Sequence, residues 1–347
     1  MPLARRLFDA SYPLAKSLLF RLSPERAHHV TLDLLRRAAA ADLLGPIESK
    51  LDWAPVEVMG VQFPNPVGLA AGMDKAGDCV DGLGALGFGH IEVGTVTPRP
   101  QPGNPKPRLF RLPKHDALIN RMGFNNPGID RLVENIQGRR YEGVLGINIG
   151  KNFDTPVENA IDDYLLCLRK AYPHADYITV NISSPNTAGL RDLQAVDSAK
   201  ALLGRLKEEQ VELAGRHGKH VPLAVKIAPD LADDDIKTLA EMFLEIGLDG
   251  VIATNTTIER STVAGDKFAG EKGGLSGLPV RTRATEVVSI LAGALGNRIP
   301  VIGVGGVSDG ASAAEKLNAG AKLVQVYTGL IYGGSGLLSE IRRGDSP

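Results

Sequence analysis

The sequence is poor in cysteine, in tryptophan and in net charge, and each shortage closes off a class of protein. Two cysteines among 347 residues, Cys79 and Cys167, cannot build a disulfide framework and suit a reducing compartment. With 39 basic against 40 acidic residues the formal net charge is −1, which argues against a general nucleic-acid binder. No apolar run reaches the ~18 residues that a membrane-spanning helix requires. The first residues also lack the uninterrupted apolar core of a secretory signal. No grouping of His, Cys, Asp and Glu has metal-ligand spacing, so no metal site is expected.

What is present is ordinary globular chemistry, 43% hydrophobic and 23% charged, with one excess. Forty glycines stand well above the usual ~7% and follow no collagen-like period, so they mark tight turns and backbone placed close to something. The length suggests two domains or one large one, and α/β barrels pass 250 residues as single units. Charge divides unevenly: residues 1–40 hold seven basic groups (Arg5, Arg6, Lys16, Arg21, Arg26, Arg36, Arg37) against Asp9, Glu25 and Asp33, so the first forty residues carry +4 and the remainder −5.

That basic front end reads as two short amphipathic helices. Leu3, Leu7, Leu14, Leu18 and Leu22 recur at steps of four or seven, and Pro13 marks a kink or a new helix start. Ser23-Pro24 reads as an N-cap with proline in the first turn, after which Ala27, Val30, Thr31, Leu34, Leu35 and Ala38 keep helical spacing. Leucines are expected on one side and basic groups on the wet side. Three readings stand: helices packed on the body, an interfacial anchor whose Lys and Arg meet anionic lipid, or a transit peptide.

From about residue 66 the chain repeats a β-branched run, a glycine or polar break, and a helical stretch. The runs are Pro66–Ala71, His90–Thr95, Val144–Ile149, Tyr177–Ile182, Leu223–Ile227, Gly250–Thr254, Pro300–Val304 and Leu323–Tyr327. Their nearly all-apolar character suits strands buried on both faces of a parallel sheet. Eight βα units predict an α/β fold, the (β/α)8 TIM barrel, with the two helices as an N-terminal extension. An open doubly wound sheet is the alternative, and it would carry a G-x-G-x-x-G turn after the first strand. The segment Val56–Phe63 reads as a hairpin closing the barrel floor. Residues 98–126 and 256–279 read as long loops, usual for lids or binding loops. The domain division is 1–45 and 46–347.

The strand ends are polar throughout. They carry Asp74 and Lys75, Thr95, Asn148, Asn181 with Ser183 and Ser184, Lys226, Thr254 to Thr256, Gly305-Gly306, and Tyr327-Thr328-Gly329. One polar strand end is commonly a satisfied turn residue; eight together point to a ligand. The glycine-rich turns after the last two strands are the usual barrel position for phosphate, with Asp309 as an N-cap. Lys75 and Lys226 are expensive to bury unless something anionic or electron-rich meets them. A ring of amides and lysines suits a planar polar heterocycle bearing a carboxylate, and also a flavin, whose N1/C2 region gains negative charge on reduction.

The motifs AAGMDK (70–75), NRMGFNN (120–126), INIGKN (147–152), NISSPNT (181–187), TNTT (254–257), GGLSG (273–277) and GVGGV (303–307) resemble dihydroorotate dehydrogenase, and specifically its quinone-dependent, membrane-associated class. The resemblance runs in order from about Ser23 to Tyr332. It implies one non-covalent FMN held by Ala71, Gly72, Lys75, Thr95, Asn148, Asn181, Lys226, Thr254, Gly277, Gly306, Tyr327 and Thr328. It implies dihydroorotate or orotate held by Lys75, Asn120, Arg121, Met122, Gly123, Phe124, Asn181, Asn186, Asn255 and Thr256. Ser184 is then the catalytic base. The cytosolic class has cysteine there, and Cys79 and Cys167 fall in helical stretches. PERAH (24–28) resembles the second helix of the family's quinone mouth, which implies His28, Arg111 and Tyr327 near the quinone head.

The resemblance implies oxidation of (S)-dihydroorotate to orotate, with Ser184 taking a proton from C5 and hydride passing from C6 to the flavin, and with a membrane quinone as final acceptor, in de novo pyrimidine (UMP) biosynthesis. Serine is a poor unassisted base, so its proton needs an exit through hydroxyls such as Thr187 and water. The further expectations are an anionic membrane surface as partner of residues 1–40, a monomer, and a peripheral place on the cytoplasmic face of a bacterial-type cell membrane rather than the mitochondrial inner membrane. The alternatives are a cytosolic-class enzyme using fumarate or NAD, and another pyrimidine-reducing flavin barrel.

Overall fold

The computed structural model describes residues 3–45, 54–187 and 189–344. Among the described residues, thirteen strands fall into three sheets. A hairpin of β1 (Val56–Val58) and β2 (Val61–Phe63) comes first. The main sheet is a closed barrel of eight strands: β3 (Val67–Leu69), β4 (His90–Val96), β7 (Val144–Ile149), β8 (Tyr177–Asn181), β9 (Leu223–Ile227), β10 (Gly250–Ala253), β12 (Val301–Val304) and β13 (Ala321–Val326). Each pairs in parallel with its neighbours, and β13 returns to β3 to close the ring. All eight of the apolar runs are barrel strands, their ends shifted by at most two residues. Val, Ile and Leu fill both faces of these strands because helices cover the outside and side chains fill the inside.

The outer layer and the barrel entrance are helical: α3 (Val80–Gly84), α4 (Ile129–Ile136), α5 (Ala160–Ala171), α6 (Val196–His217), α7 (Asp233–Glu245), α8 (Arg281–Leu295), α9 (Gly310–Asn318), α10 (Thr328–Gly333) and α11 (Gly336–Gly344). Cys167 lies inside α5, whereas Cys79 sits at the N-cap of α3 rather than within a helix.

The two long excursions are not plain loops. The one after β4 contributes β5 (Leu109–Leu112) and β6 (Ala117–Asn120), and the one after β10 contributes β11 (Gly274–Gly277). These three build an antiparallel sheet in the order β11-β6-β5, with Gly274 opposite Asn120 and Gly277 opposite Ala117. Strands of four residues from segments some 150 positions apart carry too little local periodicity to be read from sequence.

The front end holds a correction. A single helix, α1 (Leu3–Leu19), runs through Pro13 without a break, and α2 (Pro24–Ala40) follows with proline in its first turn. The facing of α1 is partly the reverse of the expectation. Leu3, Leu7, Leu14 and Leu18 are exposed, and so is Leu34 of α2. The body side instead carries polar groups. Arg5 is fully buried, its guanidinium donating to Asp9 (2.9 Å), Leu86 O (3.1 Å) and Ser335 O (2.9 Å). Lys16 Nζ reaches Tyr332 O at 2.9 Å and the Tyr12 hydroxyl reaches Ile331 O at 2.7 Å. Arg6, Arg21, Arg26, Arg36 and Arg37 are exposed as expected. The boundary drawn between residues 45 and 46 borders residues 46–53, which lie outside the described residues.

The floor of the barrel is plugged by Phe63, fully buried from the β1–β2 hairpin, against the rings of His90 (5.3 Å between centroids) and Tyr177 (6.3 Å). Both ring nitrogens of His90 are without a hydrogen-bond partner, and burial pushes its pKa down to about 3 from an ordinary 6.5. The folded chain therefore resists the proton that the unfolded chain accepts, so this contribution to stability is lost as pH falls below 6.5. A His90→Phe variant should gain on the wild type by about 1.4 kcal/mol per pH unit in that window, measured by urea unfolding. Parallel curves for the two proteins would show that His90 takes up its proton without opening the fold.

Candidate active site

Above the plug, the carboxyl ends of the strands surround a polar cavity. Its wall takes Ala71, Gly72 and Lys75 from the segment after β3, Thr95 from β4, Asn181 and Ser184 from β8 and the turn beyond it, and Lys226 from β9. Thr254, Asn255 and Thr256 come from beyond β10, Gly305 and Gly306 from beyond β12, and Tyr327, Thr328 and Gly329 from beyond β13. The antiparallel sheet closes the top. β6 brings Asn120, with Met122, Gly123 and Phe124 after it, while β11 brings Ser276 and Gly277. Thus 19 of the 21 residues expected to hold cofactor, substrate or proton converge on one cavity.

The two exceptions have clear reasons. Arg121 is not among the lining residues; it donates to Glu271 (2.6 Å) and Pro107 O (2.8 Å) and stacks 4.7 Å over Phe110, so its side chain braces the sheet. Asn148 lies one layer deeper. Its Oδ1 accepts from the Thr95 hydroxyl (2.5 Å) and from Asn181 Nδ2 (3.3 Å), which fixes two residues that do face the cavity.

Ser184 is buried, and its Oγ accepts a hydrogen bond from Asn186 N–H at 3.2 Å. Asn186 in turn donates to Asn120 Oδ1 at 3.3 Å, joining the turn after β8 to the antiparallel sheet. Lys75 donates to Gly72 O at 2.6 Å. Burial, then the nearby Arg108, brings its pKa down to about 8, against the pull of Glu25 and Asp74. Neither cysteine can act as a nucleophile or base, because both are buried and burial pushes both thiols up. Among the described residues no cluster of His, Cys, Asp and Glu could hold a metal ion.

The donor set suits a flavin nucleotide. Lys226 is buried, lines the cavity and has no hydrogen-bond partner among the described residues. Gln325, not anticipated from sequence, lines the same wall with a buried Oε1 that also lacks a partner. At the other end, the wall is bare backbone. A Cβ on Gly277 would collide with Asp116 O, and one on Gly329 with Val307 O. Peptide groups at that position, with Thr328 Oγ1 and Ser276 Oγ 2.8 Å apart, suit a phosphate. Asp309 caps α9 as expected, in a box with Ser312.

A second, apolar cavity of about 170 Å³ opens on the other side of Tyr327. Phe8, Tyr12 and Leu19 of α1, and Ala27, His28, Thr31, Leu32 and Leu35 of α2, line it together with Met73, Arg111, Leu330 and Ile331. Tyr327 belongs to both cavities. His28 is held neutral, its pKa pushed to about 3 by burial and then by Lys75 and His29. Arg111 lies 4.4 Å over the Phe20 ring and donates to Leu19 O and Leu22 O in the α1–α2 turn.

Sequence reasoning missed the ion pair that joins the two regions. Glu25 of α2 and Arg108, ahead of β5, are both buried and meet at 2.7 Å. Burial alone would raise the Glu25 pKa, but Arg108 and then Lys106 outweigh it and hold the carboxyl below its ordinary range. Arg108 also donates to Pro102 O (2.6 Å) and Asn104 O (2.9 Å). Asn104 then hydrogen-bonds Met122 O (3.0 Å) and Arg121 O (2.9 Å), so α2 is tied to the strand end that carries Asn120.

Comparison with known proteins agrees with this geometry. Residues 53–344 match the family model described as dihydroorotate dehydrogenase. The chain belongs to the dihydroorotate dehydrogenase family. It is 60% identical over 329 residues to the dihydroorotate dehydrogenase (quinone) of Azotobacter vinelandii, covering 95% of each chain. It is likewise 60% identical over 333 residues to the protein of that name from Cellvibrio japonicus, covering 96% of this chain and 97% of the relative. Among solved structures, that of the Eimeria tenella dihydroorotate dehydrogenase in complex with ferulenol superposes with a TM-score of 0.86 at 38% identity, covering 92% of this chain and 90% of that one.

For a dihydroorotate dehydrogenase, the Glu25–Arg108 pair places the apolar mouth and the polar cavity under one constraint. Arg108→Met leaves a buried carboxylate facing only Lys106 and His29, and should reduce unfolding free energy by about 3–5 kcal/mol. Replacing both partners with methionine should recover most of that loss in the same urea titration. A single variant within about 1 kcal/mol of wild type would mean that the exposed cations neighbouring Glu25 suffice.

Proposed function

We propose that this chain oxidises (S)-dihydroorotate to orotate in pyrimidine biosynthesis, with FMN as cofactor and a membrane quinone as final acceptor, as a member of the quinone-dependent class. The observation that carries this reading is the shared wall at Tyr327. A polar cavity suited to a flavin and a pyrimidine carboxylate touches an apolar cavity roofed by two helices, one of which turns leucines outward. When bound, FMN would supply the hydride-accepting ring. Lys226 and the peptide groups around Gly306, Thr328 and Gly329 would hold it, and the Tyr327 hydroxyl, pushed up to about 12 by burial, stays protonated between the cavities.

The substrate ring is oriented by Asn120, Asn181, Asn186 and Asn255, whose amides pair with both its donors and its acceptors. Lys75 meets its negative charge. Ser184 Oγ takes the proton from C5 as its own hydroxyl proton passes to a neighbouring hydroxyl or water, and its burial limits contact with bulk water. Gly123 and Phe124, both with positive φ (70° and 52°), bend the chain so that their backbone closes over the substrate. Serine in this place, with both thiols remote and protonated, supports the quinone class over the cytosolic one.

The outward leucines of α1 and the exposed Arg6, Arg21 and Arg26 suit shallow contact with an anionic membrane surface, which supports a peripheral location on the cytoplasmic face. Among the described residues no helix is long and apolar enough to cross a membrane. Both cavities are completed by one chain, which suits a monomer.

Ser184→Ala should keep bound FMN but lose bleaching by dihydroorotate by at least 10²-fold in anaerobic stopped flow; near-normal reduction would remove Ser184 from the role of base. Leu7→Glu with Leu14→Glu, on the exposed side of a helix docked by Arg5, Tyr12 and Lys16, should abolish binding to anionic vesicles and lower turnover with a long-chain quinone. Turnover with a soluble dye should persist. Unchanged vesicle binding would return α1 to simple packing.

A further inference from the structure

One fully buried carboxylate in the barrel takes no part in the chemistry above. Glu92, on β4, is fully buried directly beneath the polar cavity. Four side chains from three other strands donate to its carboxylate. Asn148 Nδ2 (β7) reaches Oε1 at 2.7 Å, while the Tyr177 hydroxyl at 3.0 Å, the Thr179 hydroxyl at 3.1 Å (both β8) and Gln325 Nε2 (β13) at 3.0 Å reach Oε2. No Lys or Arg forms a salt bridge with it among the described residues. A carboxylate in such a place is costly without a compensating charge.

The compensating charge is one layer higher. Thr179 pairs with Ala224 in the β8–β9 register, and Asn181 pairs with Lys226 two residues on, so Lys226 points into the barrel on the same face. The other titratable side chains inside the barrel are Tyr177, whose pKa burial and Glu92 raise, and His90, which burial keeps neutral. The strand on the far side of β9 faces Lys226 with Ile252 and adds no charge. Burial lowers the Lys226 pKa, and Glu92 opposes that shift.

The network also leads upward. Asn148, which donates to Glu92, accepts from Thr95 and Asn181, both on the cavity wall. Gln325 spends its amide N–H on Glu92, and its Oε1 stays buried without a partner.

We propose that Glu92 is a positioning residue of the flavin site: the buried counter-charge that keeps Lys226 cationic, and the acceptor that holds Gln325 and Asn148 and, through Asn148, fixes Thr95 and Asn181 on the cavity wall. The proposal rests on the flavin reading above and goes beyond it by placing control of the cofactor's electrostatics on a residue that never touches it.

The sign of one measurement separates this role from that of an independent negative charge. With FMN bound, Glu92→Gln should lower the Lys226 pKa further, because burial then acts unopposed. The flavin's reduction potential should then fall relative to wild type, and the fall should grow as pH rises. The expected fall is at least a tenfold change in the reduction equilibrium, about 30 mV for a two-electron couple. In a Lys226→Met background the same substitution should produce no further fall. A potential that rises evenly at every pH, with or without Lys226, would overturn the proposal.

A second readout needs no flavin and guards against a variant that folds poorly. In Lys226→Met the buried Glu92 carboxylate keeps its four donors but loses its counter-charge, so the fold should be less stable than wild type at neutral pH. Glu92→Gln in the same chain should relieve the loss. A Lys226→Met protein whose stability tracks wild type from pH 5 to 8 would refute the pairing. A preparation that takes up no FMN would instead refute the flavin reading, and the unfolding series would still decide the pairing.

Discussion

Eight parallel strands in a closed ring leave all their carboxyl ends on one side, and everything functional in this molecule depends on that geometric fact. Residues as distant in sequence as Lys75 and Tyr327 become neighbours without any local element having to carry both. The same closure makes the interior a place where charge is hard to keep. Lys226 and Glu92 are tolerated because they share one column of space with a shell of amides and hydroxyls. The apolar plug of Phe63, His90 and Tyr177 seals the column from below.

The barrel strands were legible because burial on both faces leaves an unmistakable run of β-branched and aliphatic residues, as in Val144–Ile149. The ring of site residues was legible for the opposite reason. Amide and ammonium side chains such as Asn181 and Lys226 interrupt those runs where the chain leaves the barrel, and the interruptions fall into motifs. Glu92 was not legible. A single glutamate within HIEVGTV has the same spelling as a surface residue on an alternating strand, and only the closure of the ring shows that it points inward. Gln325 and Ser276 escaped for similar reasons, since their relevance lies in what lies opposite.

The pairing of the two long excursions shows a further limit. β6 and β11 meet across a sequence separation that no local pattern reports, and the register that sets Gly274 against Asn120 is decided by the barrel strands that launch them. The Glu25–Arg108 pair is of the same kind: two common residue types, given meaning by a contact across the mouth of the protein. Helix α1 misled for a different reason. An amphipathic pattern shows that two faces differ, but not which face meets the body. Here buried Arg5, satisfied by backbone carbonyls of Leu86 and Ser335, takes the place usually held by a leucine.

That inversion changes what membrane contact would require. Many amphipathic segments are unfolded in water and must form their helix at the interface, so ordering entropy opposes binding. In α1 the helix is already formed and fastened by its polar side, with its leucines presented in advance. Adsorption is then a rigid-body event, with little ordering cost to recover when the protein leaves. On the proposed membrane reading, a protein built this way would sample the lipid surface and depart many times with its two cavities intact.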